Sequence, residues 1–370
     1  HFKRYILQGD CMTLTLDRPK KAPRQIDVES VCGIDALYFY IKVDLDDYTK
    51  FYHNHLLKNH LISENMEMLS NDYTNQFTYF SYSADIGTDY LNEGVAQLQK
   101  ICRIGFKNLN IADNLYSVKI QMNSIPLQQM TIESIITHFT DLLNSFGLVP
   151  LKFQASRVDL NTYIFNYSFD WINHMYFSTR LKKNRSFLNN TTLETFELGA
   201  RGNGLFLRIY NKLVELSTLD TETERGKKYL IYRKYIRKYL KAPEVNSLWN
   251  IELELRREQL RTYKIDTLQD LNDNINSLHT FIFKNSFRLL EKEKKLNTND
   301  SKIPNHDIWN HVIENYDYNG STVSKIDKTK LKQYKRDNLW LKNRLEEYLA
   351  EPRNTDKNLR MEVTYLLDRL

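Results

Sequence analysis

Between Leu198 and Glu215 the chain reads LGARGNGLFLRIYNKLVE, a glycine-punctuated turn that leads into a strand carrying Arg208, Tyr210 and Lys212. Alternate residues of a strand share a face, so the spacing places one phenol between two cations. A backbone loop rich in glycine can approach a phosphate closely, and a phenol flanked by cations has the makings of a nucleophile for a phosphodiester. Tyrosine is a weak nucleophile at its ordinary pKa of about 10, so that chemistry needs a neighbouring cation, base or metal. With 24 tyrosines in the chain, a purely structural tyrosine is the competing reading.

Two further strands offer charged residues with the same alternation. RVD presents Arg157 and Asp159 on one face, and ELELR presents Glu252, Glu254 and Arg256 on one face. Half-buried strands ordinarily turn apolar residues inward, so three charged same-face sets suggest a shared site. Asp159, Glu252 and Glu254 are hard oxygen donors suited to Mg²⁺ or Mn²⁺. They could equally pair with Arg157, Arg208 and Arg256 in a structural network, and the residues alone leave both readings open.

The elements that must position these residues can be read in order. Residues 1–30, with Pro19, Pro23 and the stretch Arg18 to Arg24, read as a basic arm. From Ile34, IDALYFYIKV reads as a strand ended by an acidic turn at Asp44 to Asp47, with a helix following through Leu56 and Leu57. Strands are expected at Phe77 to Ser83 and at 116–122. Thr131 opens an amphipathic helix closed by Gly147, with Ile132, Ile135, Ile136, Phe139, Leu143 and Phe146 at helical spacing. FQASRVDLNTYIF follows as a strand. A loop at Asn184 to Thr192 precedes strands at Leu193 to Leu198 and Leu205 to Lys212, and WNIELELRRE forms the last strand, from Trp249 to Glu258. This predicts an α+β domain with antiparallel strands over residues 31–265. From Asp266 the pattern turns helical, with a cap at Asp266 or Thr267, a short helix near Ile308 to Ile313 and a charged helix around Leu331 to Leu349. Residues 266–370 therefore read as a helical C-terminal region.

Composition narrows the partners. The chain has 370 residues, a formal charge of +6, 41% hydrophobic and 26% charged residues, which suits a globular protein with a polyanionic partner. Arg225 to Lys241 contains no acidic residue and interleaves Lys234, Arg237 and Lys238 with tyrosines, a pattern that fits nucleic-acid contact or a solvated face. With 11 glycines and 7 prolines, long flexible linkers are not expected. Cys11, Cys32 and Cys102 form no CxxC pair, which argues against a zinc site or disulfide framework and fits a reducing, cytoplasmic compartment. No apolar run is long enough to span a bilayer and the N-terminus shows no signal-peptide core, so no membrane partner is expected.

VDLN after the helix ending in Phe146-Gly147, then LGARGNGLFLRIYNKLVE, then LWNIELELRRE resembles, in order, the motifs of the Rep-trans replication initiators of small rolling-circle plasmids. The likeness runs from about Ile34 to Arg257, and IDALYFYI resembles that family's opening strand. Its most specific part is the turn bearing Gly199 and Arg201 at a fixed distance before RIYNK, with Glu215 five residues after Tyr210. The resemblance implies a fold like that of the HUH relaxases without their metal-binding histidine pair, and His53 and His55 are accordingly read as surface residues.

By that resemblance Tyr210 is the nucleophile that nicks origin DNA at a hairpin or single-stranded site. It would leave a 5′-phosphotyrosine link and a free 3′-OH primer. Asp159, Glu252 and Glu254 match the family's acidic positions and would hold Mg²⁺ or Mn²⁺. Arg208, Lys212 and Arg201 would contact phosphate or stabilise the phenolate, and Arg157, Arg256, Lys234, Arg237 and Lys238 would contact DNA. A host DNA helicase and a homodimer are the partners the family implies. A conjugative relaxase of an integrative element would use the same chemistry, and a non-catalytic DNA-binding repressor is the alternative from another class. Gly202-Asn203-Gly204 is more glycine-rich than the family's usual turn, and the resemblance is weak beyond Asp266.

Overall fold

Residues 28–56, 66–68, 75–82, 98–107, 109, 115–127, 130–202, 204–217, 247–295 and 299–318 are described by the computed structural model. Their strands are β1 (Ser30–Asp44), β2 (Met66–Met68), β3 (Asn75–Tyr82), β4 (Leu98–Phe106), β5 (Leu115–Met122), β6 (Pro150–Phe165), β7 (Phe177–Ser178), β8 (Asn184–Asn189), β9 (Thr192–Gly199), β10 (Phe206–Asn211), β11 (Leu248–Arg256) and β12 (Arg288–Leu289). The helices are α1 (Leu45–Phe51), α2 (Ser124–Leu127), α3 (Ile132–Ser145), α4 (Lys212–Ser217), α5 (Arg257–Thr262), α6 (Leu268–Asn285) and α7 (Asp307–Glu314). Ten strands form one sheet in the order β2-β3-β4-β5-β1-β6-β11-β10-β9-β8, and each pairing is antiparallel. The expected α+β class with an antiparallel sheet is what the chain adopts.

One face of the sheet is sealed by helices. Thr131 caps α3 by accepting a hydrogen bond from the Ser134 amide at 3.1 Å, and Gly147 leaves the helix at φ 73°. Ile132, Ile135, Phe139 and Leu143 of α3 are buried against the sheet, as their spacing predicts. Thr267 rather than Asp266 caps α6, in a reciprocal box with Asp270. Asp266 is drawn instead to Lys152 and Arg257, and burial is outweighed by those two donors, which hold its carboxyl down at about 2. Leu271, Ile275, Leu278 and Ile282 of α6 and Trp309 of α7 share one buried core with Val158, Leu160, Ile251 and Leu253 of the central strands. The Tyr316 hydroxyl donates to the Gly33 carbonyl at 3.0 Å, fastening the chain beyond α7 to β1.

Three local expectations are corrected, and β4 is a strand that the sequence reading did not mark. β4 does not alternate in sequence because Ile101 and Cys102 are both buried; the register shift opposite Tyr79 and Phe80 inserts Ile101 as an extra residue. Residues 184–189, expected as loop, form β8, a polar edge strand joined to β9 by a two-residue turn in which Asn190 sits at φ 53°. Lys212 is not the end of β10 but the start of α4, because the Asn211 side chain caps the Leu213 and Val214 amides. The helical run expected after Thr267 stops at Asn285, and the buried Phe287, Leu289 and Leu290 follow in and beside β12. The basic arm, the tyrosine-rich segment with Lys234, Arg237 and Lys238, and the helix around Leu331 to Leu349 lie outside the described residues.

The core also contains a histidine that must stay neutral. His279 is 1% exposed, stacked between Phe283 and Tyr316 at 4.1 and 3.8 Å, and burial pulls its pKa down to about 3. The unfolded chain takes up this proton below about 6.5 while the folded chain does not, so stability falls as pH drops from 6.5 towards 3. His279→Phe is expected to flatten the acid limb of melting temperature against pH; an unchanged limb would show that other groups set it.

Candidate active site

The opposite face of the central strands is polar, and register rather than proximity in sequence assembles it. Across β6, β11 and β10, Asp159 pairs with Glu254, Asn161 with Glu252 and in turn Arg208, and Tyr163 with Asn250 and in turn Tyr210. Directly opposed residues stand on the same face of a sheet, so the three sets expected from the sequence do converge. β1 completes the row on the other flank, with Ala36 opposite Asp159 and Asp35 at a register shift beside it.

The turn before β10 is held by its glycines. Gly199 has φ 92°, and a Cβ there would meet the Leu205 carbonyl oxygen at 2.3 Å. Gly202, at φ 88°, lies beneath the Arg256 guanidinium. Arg201 is exposed in this turn, with its guanidinium 5.5 Å from the Phe206 ring centre. The tight β9–β10 connection fixes where Arg208 and Tyr210 emerge.

Tyr210 is 5% exposed, and its hydroxyl is surrounded. The Asn250 amide donates to it at 2.9 Å, the Lys212 ammonium donates at 3.3 Å, and the hydroxyl faces a Glu252 oxygen at 3.4 Å. The Arg208 guanidinium lies over the ring at 4.4 Å, within cation–π range. Burial raises the phenol pKa well above 10, Lys212 works against it, and Glu252, Asp35 and Glu215 add to it. Tyr210 is therefore protonated at neutral pH. The cations expected to lower its pKa are present, but they are shared with carboxylates: Lys212 with Glu215 at 2.7 Å, and Arg208 with both oxygens of Glu252 at 2.7 and 3.0 Å.

The acidic residues adopt the paired arrangement. Arg157 donates to Asp159 and approaches Glu254 at 3.0 Å, while Arg256 donates to Glu254 at 2.6 Å. Arg157 and Arg256 are thus engaged on the carboxylates rather than extended towards a ligand. Burial pushes the Asp159 carboxyl up to about 7 against the Arg157 hydrogen bonds, with Glu252 and Glu254 adding repulsion. Among the described residues no three His, Cys, Asp or Glu side chains are grouped as a metal site requires. The donor chemistry of Asp159, Glu252 and Glu254 is that of a hard divalent ion, but this geometry does not fit one. An ion would have to displace Arg157 or Arg208.

Two residues of the site were not expected from the sequence. Asp35, set among the charges of Lys212, Glu252, Arg208 and Glu215, is pushed by burial up to about 6, and the Tyr163 hydroxyl faces it at 3.5 Å. Its signal was a lone acid inside the apolar strand IDALYFYI. Asn250 precedes Glu252 by two residues, so strand alternation alone would have placed it on the site face. Both polar side-chain atoms of the buried Asn161 and the side-chain Oδ1 of Asn250 lack a hydrogen-bond partner among the described residues, which leaves capacity for a polar ligand. His53 is exposed, as expected, on the π-helical segment Tyr52–Leu56 that continues α1, while His55 is half-buried against the Phe51 ring.

No family model matches the chain, and no curated protein matches it. Among solved structures it is similar to the rolling circle replication initiator protein from Geobacillus stearothermophilus, at 12% identity and a TM-score of 0.46, over 77% of this chain and 96% of that one. Among the described residues no helix is long and apolar enough to cross a membrane.

Proposed function

We propose that the protein is a DNA strand transferase that initiates rolling-circle replication through Tyr210. The observation that carries this reading is the Tyr210 hydroxyl held by Asn250 and Lys212 and facing Glu252, on a face lined with carboxylates and arginines. The motif resemblance around that tyrosine points the same way.

In this reading the phenol oxygen attacks a phosphorus of the nick site as Glu252 takes the phenol proton. A new P–O bond joins Tyr210 to the 5′ side, and the bond to the 3′ oxygen breaks. Lys212 supplies a proton to that leaving oxygen, giving a 3′-OH. Asn250 and Lys212 stabilise charge on the phenol oxygen during attack, and Arg208 keeps Glu252 aligned. Since Tyr210 is 5% exposed, the groups over it must part before a phosphate can reach it.

The test is incubation with supercoiled DNA carrying the cognate origin, in Mg²⁺, in Mn²⁺ and in chelator. Nicked circles with protein attached to the 5′ end are expected. Unattached nicks, or none in any condition, would overturn the reading. The chelator arm decides whether an ion must enter the arginine-bound carboxylates.

A further inference from the structure

The face that carries Tyr210 continues outward to the edge of the sheet. Thr195 of β9 is the register partner of Tyr210, and Phe187 of β8 is the partner of Thr195. In the neighbouring row Arg185 pairs with Glu197, which pairs with Arg208. Phe187 and Arg185 therefore stand on the same face as the phenol, two strands away, at a separation of roughly 10 Å given the usual strand spacing.

Their surroundings are unusual for an edge. All six residues of β8 are exposed, Phe187 by 48%, and Leu188 beside it by 41%. Arg180, Lys182, Lys183 and Arg185 precede Phe187 closely, and the segment from Arg180 to Leu193 contains no acidic residue. Cations on an edge strand discourage pairing with other chains, which would account for the arginines and lysines. It does not account for an exposed phenylalanine and leucine, which favour association. A solvent-facing aromatic ring among cations, in line with a nucleophile, matches what a single strand requires: a surface for a base to stack on and charges for its phosphates.

We infer that the β8–β9 hairpin is a single-stranded DNA platform, in which Phe187 stacks on a base of the strand held at Tyr210 and Arg185 neutralises a phosphate beside it. This rests on reading Tyr210 as the nucleophile for DNA, and it deepens that reading by assigning the contact that positions the strand.

The test uses the full chain and a labelled oligo-dT probe. Phe187→Ala should weaken binding about tenfold, whereas Phe187→Trp should retain affinity and show quenching of its new indole on binding. Arg185→Gln should reduce the steepness of the salt dependence by about one phosphate's share. Melting temperatures should stay near that of the unsubstituted chain, because both side chains are exposed. Equal affinity of Phe187→Ala, with no quenching in Phe187→Trp, would overturn the platform while leaving cleavage through Tyr210 intact. If the unsubstituted chain neither binds oligo-dT nor nicks origin DNA, the strand-transfer reading itself falls. Quenching by an added protein but not by DNA would assign the hairpin to a protein partner and overturn the inference.

Discussion

Tyr210→Phe is expected to abolish covalent attachment to DNA and to reduce nicking by about a thousandfold or more, the scale on which loss of a covalent nucleophile reads out. Phenylalanine keeps the ring under Arg208 and the packing in β10, so the face as a whole should persist. What is lost is the acceptor for Asn250 at 2.9 Å and for Lys212 at 3.3 Å. Lys212 retains Glu215, so the cost to folding should be about 1–2 kcal/mol, that of an unpaired buried amide. DNA binding should survive, since the cations proposed to contact phosphate are untouched. The measurement is gel separation of nicked, attached and intact circles beside a thermal melt. Nicking at the unsubstituted rate by a folded variant would mean that another residue attacks.

Glu252→Ala is expected to damage both stability and cleavage. Glu252 is 2% exposed and is the shared partner of Arg208 and the Tyr210 hydroxyl, so its removal leaves a half-buried guanidinium without its carboxylate. Breaking such a pair from one side costs about 3–5 kcal/mol, and the lower end applies here because the Arg208 side chain is 23% exposed. Converting both partners, as Glu252→Leu with Arg208→Met, should recover most of that stability without recovering any cleavage. Duplex binding should change far less than cleavage. A double variant that is no more stable than Glu252→Ala would show that the pair is not the source of the loss. Parallel loss of binding and cleavage would make Glu252 a structural residue only.

The sequence by itself determined the strands that carry Arg157, Asp159, Arg208, Tyr210, Glu252, Glu254 and Arg256, and which of these share a face. It could do so because side-chain direction in a strand depends only on parity, a local property of the backbone. The same locality made the Thr131 cap, the Gly147 exit and the glycine turn before β10 legible. Residues whose roles depend on neighbours distant in the chain were less legible. Asp35 joins the site because β1 lies beside β6, and the strand order that brings them together is not written in either segment. β8 was hidden because an exposed edge strand has no buried side and so no alternation to read. Above all, only the tertiary structure decided what the charges do. Three carboxylates on alternating positions suit a metal or a set of arginines equally well until Arg157 turns along β6 onto Asp159 and reaches diagonally across to Glu254, and register sets Arg208 against Glu252. Burial then raises the energy of any unpaired charge, so the pairing, and the protonated state of Tyr210 within it, follow from packing rather than from composition.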